Sequence, residues 1–426
     1  MGLTMTVSIS RGRGRVFYGY YLVAATFVFV LLSYGCGSYA FSLFVKPLEA
    51  SFGWGRGQVM LGFTIFFVSM GVTSPVVGRF LDRYGARGVI PLGAAVMGAG
   101  FVIVSQMSHL YLFYLGYVVI GAGASGLGHV SCSAIVCNWF KKRRGAAVGF
   151  MSAGIGAGGF VMAPLVGHLI TEFGWRTAYL SMAVIIWVVS IPLALLVVRT
   201  KPAEMGLYPD GEAKPPEAAP GTPVLADSRG FTLEQAIRTP AFWLIFASFL
   251  IGCFSGMGLT QTPVPFFEDI GYPAQMAAMA LGAAGVASAI GKLLFGWLCD
   301  RMQPNRVWAI GLSLQTASAL VLLTISADSS PMLVWLWAAL LGLGSGAWLP
   351  TLSMLGSTNF GLLAYGAIFG ALNLAQSAGA ATGPFFAGLM YDATGTYHWV
   401  FVTFALLYAV SIPAILLVKR PKQRAA

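Results

Sequence analysis

The feature that most constrains this chain is a recurrence: apolar runs long enough to cross a bilayer follow one another from end to end, separated by short polar or glycine- and proline-containing breaks. An α-helix needs about 20 predominantly apolar residues to span a hydrocarbon core of roughly 30 Å. Twelve runs qualify, at 18–45, 57–80, 87–106, 109–138, 144–173, 176–198, 239–267, 274–299, 305–326, 330–358, 363–391 and 396–418. With 57% hydrophobic and 9% charged residues and a mean hydropathy of +0.78, the chain cannot be a water-soluble globule. The expected class is an all-α polytopic membrane protein with twelve transmembrane helices.

One connection is long. Residues 199–238 are rich in proline, glycine and charge, which suits a flexible linker with room for one surface helix. It divides the runs six and six, giving an N-terminal bundle over 1–198 and a C-terminal bundle over 239–426. An internal repeat agrees with that division. Gly78-Arg-Phe-Leu-Asp82-Arg83 returns as Gly296-Trp-Leu-Cys-Asp300-Arg301 at an offset of 218. Gly145-Ala-Ala-Val-Gly149 returns as Gly366-Ala-Ile-Phe-Gly370, and Gly174 as Gly395, both at 221. Two repeats with a site between them is the plan of a secondary transporter.

The net charge of +11 would raise the question of nucleic acid in a soluble protein, but its distribution gives a different answer. If the N-terminus is cytoplasmic, 21 of the 25 lysines and arginines fall on that side, with Lys46, Arg56 and Arg176 outside and Lys292 within a span. The positive-inside rule therefore puts both termini in the cytoplasm, and the protein in a cell (inner) membrane with the lipid bilayer as its partner and no role for nucleic acid. Arg11, Arg13 and Arg15 precede an apolar run too long for a signal peptide, which reads as the first span. Cys36, Cys132, Cys137, Cys253 and Cys299 lie in or beside apolar segments without paired spacing, as packing residues and not metal ligands or a disulfide framework.

The loop Gly78-Arg79-Phe80-Leu81-Asp82-Arg83-Tyr84-Gly85-Ala86-Arg87 resembles the signature of the major facilitator superfamily, strengthened by its echo at 296–306. Trp139-Phe140-Lys141-Lys142-Arg143-Arg144-Gly145-Ala146-Ala147-Val148-Gly149 resembles the narrower signature of the monocarboxylate transporter and oxalate:formate antiporter families. Tyr34-Gly-Cys-Gly-Ser-Tyr39, Thr232-Leu-Glu-Gln-Ala-Ile-Arg-Thr-Pro240-Ala-Phe-Trp243 and Gly383-Pro384 with Gly388, Asp392 and Gly395 add to it. The resemblance implies a major facilitator fold of two six-helix halves. Physically, a carboxylate at a helix end such as Asp82 or Asp300 can pair with arginines (Arg83, Arg301) and meet a neighbouring helix N-terminus, latching the halves. A purely structural turn with topogenic charges is the alternative. On either reading Gly78, Asp82, Arg83, Asp300 and Arg301 are gating or structural residues, not a substrate site.

Lys292 is the leading site candidate. A charge at membrane depth costs at least about 2.5–3.5 kcal/mol and normally faces a wet path. It stands four residues before Gly296, where the resembling families carry a substrate-pairing arginine; Ser288, four residues earlier, stands where the animal monocarboxylate transporters are acidic. A lysine is a point charge without arginine's bidentate fork, so an anion is still expected but its identity is not carried over. Snorkelling of Lys292 toward the end that bears Asp300 is the competing reading. His129 is the second candidate, in Gly121-Ala-Gly123-Ala-Ser-Gly126-Leu-Gly128-His129, at a place where relatives commonly have a cavity-lining tyrosine. One register of the repeat pairs it with Trp348, and a packed, hydrogen-bonded histidine is the alternative. Tyr34, Tyr39, Gln261, Asn373 and Gln376 complete the substrate-binding list as polar groups inside apolar runs, each able to bridge helices instead.

All fourteen acidic residues fall in loops or near segment ends, so no mid-membrane carboxylate is available for proton coupling. That leaves His129, the substrate's own proton, or anion exchange. No nucleotide-binding Gly-x-x-x-x-Gly-Lys-Ser/Thr loop occurs. The expectation is a transporter and not an enzyme, without catalytic residues, metal or cofactor. It would act as a monomer, moving a small organic anion, a lactate- or pyruvate-like monocarboxylate, with or without protons. An exporter of amphiphilic drugs or other solutes, and a non-transporting sensor on the same fold, are the rivals.

Overall fold

The computed structural model describes residues 17–211 and 230–421. The basic residues Arg11, Arg13, Arg15, Lys214, Arg229, Lys422 and Arg424, and the centre of the linker, lie outside the described residues. Arg56, Glu268 and Asp392 lie within helices, without description of their side chains.

The described residues are mostly helical. α1 (Tyr18–Tyr34), a π-helical turn (Gly35–Tyr39) and α2 (Phe41–Phe52) make the first crossing. α3 (Arg56–Tyr84), α4 (Ala86–Ser105) and the pair α5 (Leu110–Leu127) and α6 (His129–Trp139) follow. α7 (Arg144–Val197) runs 54 residues, roughly 80 Å at 1.5 Å per residue and far beyond one bilayer. Gly174, at φ 78° and ψ 164°, turns it into two crossings. After the linker come α8 (Leu233–Ile237), α9 (Pro240–Gln261) with α10 (Pro263–Asp269), α11 (Ala274–Cys299), α12 (Pro304–Thr324), α13 (Met332–Ser345) with α14 (Trp348–Phe360), α15 (Tyr365–Thr394) and α16 (His398–Leu416). Among the described residues, ten stretches are long and apolar enough to cross a membrane. The turn inside α7 adds an eleventh and the 30-residue α15 a twelfth, the number expected.

Local chemistry explains the ends. The first crossing continues past the expected residue 45 to Phe52, where Gly53 takes a left-handed conformation (φ 66°) and its amide closes on the Glu49 carbonyl at 2.9 Å. α9 begins where the Thr239 hydroxyl accepts from the Phe242 amide and Pro240 occupies the first turn. The linker is tied down on both sides. Thr200 Oγ1 accepts from the Ala86 amide at the start of α4 (2.8 Å), Trp139 Nε1 donates to the Arg199 carbonyl (2.9 Å), and the Phe231 amide donates to the Phe360 carbonyl (2.8 Å).

The halves meet along two helix crossings that repeat each other. In α3 against α15, a Cβ on Gly78 would lie 2.0 Å from the Gly366 carbonyl oxygen, and one on Gly370 would lie 2.3 Å from that of Ser74. In α7 against α11, a Cβ on Gly145 would lie 2.2 Å from the Gly296 oxygen, and one on Gly149 would lie 2.6 Å from that of Lys292. Only glycine permits backbones this close, as is usual where membrane helices cross tightly. Of the glycines matched by the repeat, Gly78, Gly145, Gly149, Gly296, Gly366 and Gly370 are thus the crossing points themselves, while Gly174 and Gly395 turn or end a helix in the left-handed region.

Candidate functional site

Both crossings carry a carboxylate at the same end. Asp82, near the end of α3, accepts from the amides of Gly366 and Ala367 at 2.9 Å each, at the N-terminus of α15. Asp300, capping α11, accepts from Gly145 and Ala146 at 2.6 and 2.8 Å, at the N-terminus of α7. A carboxylate across the first amides of a helix meets the positive end of its dipole, and here each acid belongs to the opposite half. The arginines do not pair with these acids: Arg83 lies over the Tyr84 ring (5.3 Å) and Arg301 over Trp297 (3.7 Å). Burial pushes the Asp300 carboxyl up from its ordinary value; the two amides and the Arg144 guanidinium pull it back. The clasp is therefore a balance of desolvation against hydrogen bonding and charge.

Lys292 lies on α11 at the second crossing and is only 4% exposed. Its Nζ donates to Ser288 Oγ at 2.8 Å, and Ser345 Oγ lies 3.0 Å from the same hydroxyl. Ser288 is one turn back along α11, so the ammonium turns away from the Asp300 end, opposite to the snorkelling direction. Among the described residues its side-chain partner is neutral, and it forms no ion pair.

His129 is 1% exposed at the start of α6. Its two ring nitrogens lie 2.7 Å from the Tyr34 hydroxyl and 2.6 Å from Asn373 Oδ1. The polarity of the network can be derived. Ser74 Oγ donates to the Met70 carbonyl (2.7 Å), so the Asn373 amide donates to Ser74 (2.9 Å) and turns its oxygen to His129. The ring consequently carries its proton on Nε2, and Nδ1 accepts from Tyr34. Trp348 packs edge-on to the imidazole with centroids 5.6 Å apart. Because Trp348 follows Ser345 by three residues, the Lys292 and His129 groups occupy neighbouring positions along α13 and α14. His129 also begins a stripe on α6: Ser133 meets Ser353 (3.1 Å) and Cys137 meets the Tyr365 hydroxyl (3.6 Å), both partners in the other half.

A family model described as Major Facilitator Superfamily matches residues 27–384. The chain belongs to the Major Facilitator Superfamily. It is similar to the oxalate:formate antiporter of Oxalobacter formigenes, 22% identical over 72% of this chain and 69% of that one. It is also similar to monocarboxylate transporter 12 of Mus musculus, 22% identical over 95% of this chain and 87% of the relative. Among solved structures, the Escherichia coli fucose:proton symporter FucP superposes with a TM-score of 0.71 at 15% identity, over 95% of this chain and 100% of that one. The proton:xylose symporter XylE superposes at 0.70 and 14% identity, over 94% and 96%. These structural likenesses show the fold alone; membership of the superfamily makes the chain a multi-pass membrane transporter of small solutes and not an enzyme.

Within that fold the remaining candidates separate. Tyr34, His129, Trp348 and Asn373 form one cluster, with Lys292 beside it. Gln376 is buried and accepts from its neighbour Ser377 at 3.4 Å. Tyr39, 44% exposed, ends the π-helical turn, and its ring limits Gly159 on α7. Gln261 is exposed at the last turn of α9, just before Thr262 and Pro263 break the helix. Among the described residues, none of these three has a hydrogen bond to the cluster. The polar groups not foreseen are Ser74 with Ser125, whose hydroxyls lie 3.1 Å apart, Ser345 and the Ser133–Cys137 stripe. Two signals could have found Ser74 and the stripe: the offset of 218 that pairs Ser74 with Lys292, and the four-residue spacing of His129, Ser133 and Cys137.

Proposed function

We propose that this transporter carries a small monocarboxylate, a lactate- or pyruvate-like hydroxy- or keto-acid, by alternating access between its two halves. The anion is held by Lys292, with Tyr34, His129, Trp348 and Asn373 shaping the space beside it and Tyr39, Gln261 and Gln376 on the approach. The observation that carries this reading is a buried ammonium with serine as its side-chain partner, in a chain whose carboxylates all lie at segment ends. Such a cation is expensive to keep unless an anion visits it. The names of the oxalate:formate antiporter and the monocarboxylate transporter are consistent with that cargo.

In this reading the Asp82 and Asp300 clasps close the cytoplasmic end, both termini are cytoplasmic, and the protein works as a monomer in the cell (inner) membrane. The six-helix units 1–198 and 239–426 rock about the glycine crossings while 199–238 links them. Proteoliposome uptake of labelled lactate, pyruvate, formate and oxalate tests the assignment, with and without a pH gradient and with internal anion to distinguish proton symport from exchange. Lys292→Ala is expected to abolish uptake while retaining wild-type folding and reconstitution; undiminished uptake overturns the assignment.

A further inference from the structure

A second polar site lies apart from the transport path, where the α6–α7 turn meets the start of α1 and the linker. A cavity of about 210 Å³ is lined by Phe17, Tyr20, Phe140, Lys142, Arg143 and Asp210. Three of its walls are aromatic and fixed on one another: Phe17 lies 5.9 Å from Tyr20 and 5.6 Å from Phe140, and Tyr20 lies 5.8 Å from Phe140. The charged walls are unequal. Asp210 is the one described non-glycine residue in a left-handed conformation, φ 59°, and its carboxylate accepts from the backbone amides of Lys141 (3.0 Å) and Lys142 (2.7 Å). Its carboxylate is thereby held within the turn, and the side chains of Lys142 and Arg143 are exposed at the rim.

The position of the cavity identifies what fits it. Tyr18 begins the first crossing, so Tyr20 sits at a helix end, at the depth where aromatic residues meet headgroups. Below it α1 presents Tyr20 (50% exposed) and Tyr21 (55%) outward, and deeper along the same crossing Phe27 pairs at 5.4 Å with Phe150 of α7, itself 49% exposed. A pocket with two cations and aromatic walls, standing over exposed apolar side chains of α1 and α7, matches a phosphodiester carrying an acyl chain better than a free ion.

We propose that this cavity is a binding site for the headgroup of an anionic phospholipid, with Lys142 and Arg143 taking the phosphate, the Phe17–Tyr20–Phe140 wall taking the glycerol, and the chain descending along the outer surface of α1 and α7. Arginine forms two parallel bonds to phosphate oxygens and lysine supplies a point charge. Basic pockets between membrane helices suit such lipids.

The test uses the full chain, purified in detergent, and native mass spectrometry with dioleoyl phosphatidylglycerol, dioleoyl phosphatidylcholine or inorganic phosphate as probe. The wild type is expected to retain one phosphatidylglycerol in preference to phosphatidylcholine. Lys142→Gln/Arg143→Gln should weaken retention by roughly five-fold for each charge removed. Lys141→Gln, whose side chain does not line the cavity, should retain the lipid. Arg143→Gln alone is read in the same way if the double variant fails purification. Equal retention of the two lipids, equal loss in Lys141→Gln, or no loss in the cavity variant overturns the proposal. Inorganic phosphate displacing phosphatidylglycerol at similar concentration would instead make this a soluble-anion site, and also overturns it.

Discussion

Replacing Gly78 by alanine should shift the transporter away from the arrangement described here, because the clash is with backbone. The added Cβ would lie 2.0 Å from the Gly366 carbonyl oxygen, and ordinary contact begins at 3.4 Å, so α3 and α15 must part by about 1.4 Å at this level. The two bonds from Gly366 and Ala367 to Asp82 would then stretch to roughly 4.3 Å, outside hydrogen-bond range. Asp82 is exposed, so each bond contributes about 1 kcal/mol after solvent screening. Overpacking adds about 1–3 kcal/mol. A total of about 3–5 kcal/mol changes the ratio of the described arrangement to a parted one by at least roughly 150-fold. Spin labels at Tyr84→Cys and Leu363→Cys, exposed at 59% and 46%, read the separation directly by pulsed electron resonance in a background without native cysteines. A longer distance in Gly78→Ala is expected. Gly88→Ala, whose Cβ would meet nothing within 4 Å, should leave it unchanged. An unshifted distribution in Gly78→Ala would refute the crossing as the closed contact.

Two further outcomes are read with standard assays. Asn373→Ala leaves His129 Nε2 without its acceptor and Ser74 without its donor, and should destabilise the protein by about 1–2 kcal/mol, seen as a lower melting temperature in detergent; an unchanged melt would remove the network from the balance. Asp300, whose carboxyl is raised in the closed arrangement, binds its proton more tightly there than when exposed. That arrangement is therefore favoured as pH falls through the window above about 4 and weakened as pH rises through it. Label distances across α7 and α11 should follow that trend in the wild type and lose it in Asp300→Asn, and a flat wild-type profile contradicts it.

The sequence carried the architecture because its signals are periodic and redundant. The repeat glycines at 78, 145, 149, 296, 366 and 370 turned out to be crossing points, since a backbone contact near 2 Å from a notional Cβ admits no other residue and so leaves a fixed mark in the chain. The acids at 82 and 300 were legible for the same reason, being matched in both halves. What was not legible is which partner each polar group finds. Arg83 and Arg301 stack on their own helices' aromatics in place of pairing with the acids, a choice made by side-chain direction and not by spacing. Ser74, Ser125 and Ser345 are ordinary small residues in sequence, and serine inside an apolar run most often bonds its own helix. Ser345 does so, 2.8 Å from the Gly342 carbonyl, while also reaching Ser288. The π-helical turn at Gly35–Tyr39 left no mark beyond a cluster of small residues that equally suits close packing.

The repeat makes the two crossings alike and the centre unlike. The offset that matches Gly78 with Gly296 also matches Ser74 with Lys292, so equivalent points on the two crossings carry a hydroxyl in one half and a cation in the other. Ser288 is the lever on that asymmetry. Its hydroxyl stands 2.8 Å from the Lys292 ammonium, and an aspartate there, one bond longer, would place a carboxylate within reach of the same nitrogen. A permanent partner would compete with any visiting anion. A charge-assisted bond of about 1.5–3 kcal/mol corresponds to roughly a 10- to 150-fold loss of carboxylate affinity. Ser288→Asp should therefore weaken monocarboxylate binding, measured by competition in proteoliposomes, by at least about tenfold, and Ser288→Ala should leave it near wild type because the cation remains available. Wild-type affinity in a well-folded Ser288→Asp protein would mean that the anion does not meet Lys292. The cost of that buried charge would then require another explanation.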